Sequence, residues 1–99
     1  MAVEKYIEQK LVNEVKAAGG ICPKLVCPGT DGMPDRLVLL PGGRVAFVEV
    51  KAPGKKPRAL QVVVRWKLEL LGFKVFVLDD PVKVAALVRE VMEDEVHAS

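Results

Sequence analysis

The chain is poor in the residues that several functional classes require. Of its 99 residues one is histidine and two are cysteine. The single histidine, His97, stands in the tail, so neither a Ser-His-Asp triad nor a Cys/His zinc framework has its parts. Cys22 and Cys27 have four residues between them, which is not the spacing of a redox pair. They read as small, buried or half-buried apolar residues. No apolar run approaches the ~20 residues of a membrane-spanning helix. The first sixteen residues carry Glu4, Lys5, Glu8, Lys10, Glu14 and Lys16, which no apolar signal core tolerates. The expectation is a cytoplasmic or nucleoid-facing chain with no membrane partner.

Apolar side chains make up 51% of the residues and charged ones 28%, which is enough apolar material to rule out disorder along the whole chain. The length suits one domain, residues 1–99. A chain of this size buries only about 60–65% of its unfolded surface. With half its residues apolar, some of that surface is expected to close against a second copy, as a homodimer.

The net charge of +2 conceals an uneven distribution. Residues 44–67 hold seven basic side chains against one acid, Glu49, while residues 79–99 hold six acids against Lys83 and Arg89. A basic middle suits phosphates, and a solvated loop and helix face is the plainer reading.

Spacing sets out the elements. Val3, Ile7, Leu11, Val15 and Ala18 recur every three or four positions, which predicts a helix over 3–18 closed by Gly19-Gly20. Ile21 to Val26 is too short for a helix and predicts a strand. Pro28 to Pro34 is a loop. Leu37 to Leu40 and Arg44 to Lys51 flank Pro41-Gly42-Gly43 and predict a β-hairpin. After the basic loop Ala52 to Pro57, a helix over Ala59 to Leu71 precedes Gly72. Phe73 to Leu78 predicts a strand. Asp80 and Pro81 open a last helix, to about Glu95. The order α-β-β-β-α-β-α makes an α/β fold with a mixed sheet flanked by helices. The middle helix has two apolar sides. Leu60, Val63, Val64, Leu68 and Leu71 form one; Val62, Trp66 and Leu70 form the other, the candidate dimer interface.

Within the hairpin, Glu49 and Lys51 share a face of an otherwise apolar strand. The turn at 41–43 sets Asp35 roughly opposite Glu49. Half-buried charges of this kind are costly unless they pair or bind a cation. Two convergent carboxylates suit Mg²⁺ or Mn²⁺, and such an ion polarises phosphate and activates water. The plainer alternative is a Glu-Lys ion pair at a sheet edge.

Gly32-Met33-Pro34-Asp35, then Glu49-Val50-Lys51, then Lys56-Pro57-Arg58-Ala59-Leu60-Gln61, together with the first-helix Glu4-Lys5-Tyr6-Ile7-Glu8, resemble the VRR-NUC nucleases. That family is a branch of the PD-(D/E)xK, restriction-endonuclease-like superfamily, and the resemblance spans nearly the whole chain. It implies that Asp35, Glu49 and the Val50 carbonyl hold Mg²⁺ or Mn²⁺, with Glu4 or Glu8 completing the pocket. It implies that Lys51 is the catalytic lysine and that Gln61 lies beside the site. Lys55, Lys56 and Arg58 would meet the DNA backbone. The chain looks like a stand-alone phage or bacterial member. The resemblance therefore implies a homodimeric endonuclease of branched DNA, foremost four-way junctions, leaving 5′-phosphate and 3′-hydroxyl ends. A flap or nicking nuclease, or a non-catalytic DNA-binding module, are the alternatives.

Overall fold

Apolar residues one helical turn apart draw the first segment into α1 (Val3–Ala17), which buries Ile7, Leu11 and Val15 along one stripe. The structure, a computed structural model, describes residues 3–94. Strand β1 (Arg36–Leu40) turns at Pro41-Gly42-Gly43 into β2 (Arg44–Val50). Helix α2 (Ala59–Leu70) follows, then β3 (Lys74–Leu78), and then a 3-10 turn (Pro81–Lys83) that runs into α3 (Val84–Met92). The sheet is mixed, in the order β1-β2-β3. β1 pairs antiparallel with β2, and β3 lies parallel to it across the α2 crossover.

The layers follow from side-chain alternation along the central strand. Ala46, Val48 and Val50 belong to the larger core with Ile7, Leu11 and Val91, so α1 and α3 cover that face. Phe47 packs with Val64, Leu68 and Val75 under α2 on the other face. Phe73 adds an edge-to-face contact to Phe47 at 5.4 Å. Glu49 comes two residues after Phe47 and so shares the α2 side.

Two expectations need correction. The segment Ile21 to Val26 is not a strand but a pair of isolated bridges, at Ile21 and Lys24, so the order is α-β-β-α-β-α. Its hydrogen bonds give the reason. Ile21 and Leu39 exchange both N–H···O bonds, at 2.9 and 3.0 Å, and Leu37 donates to the Pro23 carbonyl at 3.1 Å. Pro23 has no N–H to return, so the ladder loses a rung where a strand would have continued. The second correction concerns α2. Only Gln61, Val64 and Leu68 are buried, while Leu60, Val63 and Leu71 of the expected inner stripe stay exposed. A single helix resting on a three-stranded sheet covers only a narrow stripe.

The last helix begins as expected. The Asp80 carboxylate accepts the Val82 N–H at 2.9 Å, and Pro81 opens the turn. The helix stops at Met92, short of Glu95; Glu95 and His97 lie outside the described residues. Part of the acidic tail is spent locally, because Lys74 pairs with Asp94 at 2.9 Å and Glu90 at 3.4 Å. Cys22 is buried and Cys27 half-buried. Burial pushes the Cys22 thiol up to about 11, against the lowering charge of Arg36, which suits an inert packing role.

Gly20 is where α1 hands over to the sheet. A Cβ there would lie 2.1 Å from the Leu39 carbonyl oxygen, the acceptor of the Ile21 N–H. Gly20→Ala should therefore force these backbones apart and lower stability by about 1–3 kcal/mol. Urea unfolding measures this, and an unchanged midpoint would contradict the close approach.

Candidate active site

The site lies at one end of the hairpin, on the face covered by α2. The β1–β2 register ends at Arg36 opposite Val48, so Asp35 and Glu49 are the next positions outward. Asp35 Oδ2 accepts the Val50 N–H at 2.9 Å, which fixes the carboxylate against the strand that carries Glu49. Lys51 N donates to the Leu78 carbonyl at 2.9 Å and so extends the parallel pairing through the lysine's backbone. Asp35, Glu49, Lys51 and Gln61 thus come together as expected.

Glu49 is 4% exposed on a face otherwise built from Phe47, Val64 and Val75. Its two oxygens have different surroundings. Oε2 faces the Lys51 ammonium at 3.1 Å and also accepts a hydrogen bond from Gln61 Nε2. Oε1 is buried and, among the described residues, has no hydrogen-bond partner. An unsatisfied buried acceptor costs about 1–3 kcal/mol, and more when charged. Burial raises the Glu49 carboxyl above its ordinary range, and the nearby Asp35 charge adds to that. The hydrogen bonds from Lys51 and Gln61 oppose it.

Gln61 is held at both ends. Its Oε1 accepts the Arg58 N–H at 2.8 Å at the start of α2, so its Nε2 is left to donate to Glu49. The N-terminus of α2 and the buried carboxylate are thereby joined through one amide. Gly32, three residues before Asp35, sits at φ +88, and a Cβ there would come within 2.9 Å of the Leu60 carbonyl. Only glycine fits both the positive φ and the close approach of this loop to α2.

The oxygens here suit a hard cation. Asp35, Glu49 Oε1 and the Val50 carbonyl are all oxygen donors. Among the described residues no three His, Cys, Asp or Glu side chains form a ligand cluster. The first-helix candidates are in different settings. Glu8 Oε2 bonds to Arg36 Nε at 3.0 Å, whereas Glu4 is exposed. Arg36 was not foreseen in the sequence. It also donates to the Cys22 carbonyl at 2.9 Å and ties α1 to the start of β1.

A groove of about 190 Å³ leads away from Glu49 and Gln61 between α2 and β3. Arg65 and Glu69, paired at 3.6 Å, line it, as does Trp66, and sequence reasoning did not place any of these at the site. In the sequence Trp66 reads as part of the second apolar side of the helix, and for Arg65 and Glu69 the available signal is their spacing of one helical turn. Lys55, Lys56 and Arg58 are exposed along the loop into α2, with Arg58 3.8 Å from Asp31. The three residues expected at a dimer contact are spread out. Val62 and Trp66 line the groove, and Leu70 is exposed beyond it.

No family model matches the sequence. The chain is 53% identical over 76 residues to "Putative nuclease p44" of Acyrthosiphon pisum secondary endosymbiont phage 1, covering 77% of this chain and 82% of that protein. A solved structure described as a VRR_NUC domain superposes with a TM-score of 0.84 at 32% identity, covering 90% of this chain and 97% of that one. The chain is a member of the VRR-NUC nuclease family. In this VRR-NUC chain, Glu49 is the buried carboxylate on the α2 side.

The raised Glu49 carboxyl has a consequence for stability. A carboxyl raised in the folded state holds its proton more tightly there, so stability is lost as pH climbs through its folded-state titration. Relative to Glu49→Gln, the metal-free protein should lose thermal stability as pH rises above about 4.5, the ordinary glutamate value. Mg²⁺ or Mn²⁺ at neutral pH should restore it in the wild type and not in the variant, by about 2.7 kcal/mol at a hundredfold excess over Kd. Thermal melts read both effects. Parallel curves for the two proteins would mean that Glu49 neither titrates abnormally nor holds the ion.

Proposed function

We propose that this chain is a Mg²⁺- or Mn²⁺-dependent DNA endonuclease that acts on branched DNA as a homodimer, foremost on four-way junctions. The observation that carries the reading is the buried Glu49, with one oxygen held by Lys51 and Gln61 and the other left without a partner. A protein spends stability on such a group where chemistry needs it. Asp35, Glu49 and the Val50 carbonyl are the residues that would hold the cation, with Glu4 as the first-helix helper, because Glu8 is engaged by Arg36. When bound there, such a cation supplies positive charge to a phosphate and lowers the pKa of water.

The side chains divide the remaining work. Gln61 fixes the rotamer of Glu49, so that its free oxygen keeps one direction. Among the described residues Lys51 has one ion-pair partner, Glu49, which leaves two ammonium protons for a phosphate oxygen or the attacking water. Water oxygen bonds to phosphorus in line and gives up a proton, the bond to the 3′ oxygen breaks, and that oxygen takes up a proton in balance, leaving a 5′-phosphate and a 3′-hydroxyl. Lys55, Lys56 and Arg58 hold the strand through its phosphates.

A homodimer is supported by α2, which leaves Leu70 88% and Leu71 73% exposed beyond the groove. Neighbouring large apolar residues this bare are surface that a partner would cover. Two copies related by a two-fold axis would present two such sites to opposite strands of a junction.

Asp35→Asn, Glu49→Gln and Lys51→Ala should each lower cleavage of a labelled four-way junction by at least about a hundredfold, with the fold kept by circular dichroism. Wild-type cutting should stop in chelator, and a linear duplex should be cut far less. Full activity in any of the three variants would remove that residue from the mechanism, and equal cutting of duplex would remove the junction. Replacing Lys55, Lys56 and Arg58 with alanine should lower the salt slope of binding by about 2–3, which an unchanged slope would contradict. Sedimentation should give twice the 10.8 kDa chain mass, with Leu70→Lys shifting it toward one.

A further inference from the structure

We infer that the groove between α2 and β3 is a pocket for one unpaired nucleobase beside the scissile phosphate, with Trp66 as its stacking surface. The inference rests on the nuclease reading above and adds to it the feature of DNA that the enzyme would recognise. The groove opens at the reaction site itself, since Glu49 and Gln61 line one end. Whatever enters it is therefore a close neighbour of the phosphate held there. The apolar side chains Val62, Val75 and Val77 line it, and so does Trp66, more than one helical turn along α2 from Gln61. At about 190 Å³ it is smaller than a site for a drug-sized ligand, and takes one flat heterocycle rather than a duplex edge.

Three further features favour a base as the occupant. Trp66 is 63% exposed, an unusual setting for an indole unless its face is used. Arg65 and Glu69 set a donor and an acceptor along the wall, which suits the hydrogen-bonding edge of a base and not an alkyl chain. Lys55, Lys56 and Arg58 flank Pro57, another lining residue, so the sugar-phosphate chain carrying the base would run along positive charge. A base inside a duplex is stacked and cannot reach a recess of this kind, whereas one at a junction, flap or bulge can. A preference for branched DNA would then come from each protomer's own pocket as well as from the spacing of two active sites.

Trp66 is the only tryptophan, so the emission reports on its own surroundings. The full chain is titrated in chelator at low salt with three DNAs: a blunt duplex, the same duplex with a two-thymine bulge, and that bulge made abasic. The thymine bulge should quench the emission, and the other two should not. Trp66→Ala should lose about tenfold in affinity for the thymine bulge, with blunt-duplex affinity unchanged and Trp66→Phe restoring most of the loss. Binding of all three DNAs with equal quenching, or with none, overturns the pocket and leaves the nuclease reading intact. Sedimentation of Trp66→Ala at half the wild-type mass overturns it too, because the residue would then act through a second copy. Failure of the wild type to bind any of the three, or a four-way junction added beside them, would overturn the reading as a branched-DNA nuclease, and the pocket with it.

Discussion

The carboxylate of Glu49 is the constraint around which the α2 side of this protein is arranged. It is placed by strand alternation on a face that buries Phe47, and it cannot be left there without compensation. Two neighbours supply part of that compensation. Lys51 comes from the same strand and face, and Gln61 comes from the first turn of α2, where the Arg58 N–H holds its other end. The start of α2 therefore depends on the same amide as the carboxylate. Oε1 remains, and under the proposed function a cation would satisfy it.

The opposite side of the sheet carries the stability. Ile7, Leu11, Val15, Val48 and Val91 are fully buried there between α1, the sheet and α3. The α2 side has a small core of Phe47, Val64, Leu68 and Val75. That division lets the α2 side hold an unsatisfied carboxylate and an open groove, while the larger core keeps the strands in register. Arg36 joins the two sides. It lies next to Asp35 and reaches Glu8 on α1, so the helix on the stable side braces the strand that begins at the site.

Much of this was legible in the sequence because it rests on period and spacing. The fourteen positions from Asp35 to Glu49 follow from a hairpin turning at 41–43, and the observed pairing of Arg36 with Val48 sets the two carboxylates opposite each other, just beyond the same end of that ladder. The Asp80-Pro81 start of the last helix was legible for the same reason. What was not legible depends on contacts between distant segments. Pro23 removes a rung from a pairing that only the folded edge reveals. Leu60, Val63 and Leu71 are as apolar as Val64 and Leu68, and their exposure is decided by how narrow a stripe the sheet can cover. Arg65, Trp66 and Glu69 become site neighbours through the docking of α2 beside Val75 and Val77, which no local pattern encodes.

The central claim, that the unpartnered oxygen of Glu49 is a cation ligand together with Asp35, is tested most directly by anomalous diffraction from crystals soaked in Mn²⁺. The account predicts one dominant anomalous peak at ligand distance from Glu49 Oε1 and from the Asp35 carboxylate, absent from crystals of Glu49→Gln. Mn²⁺ bound elsewhere, or a Glu49 Oε1 satisfied by water or by a shifted side chain with no metal nearby, would contradict it.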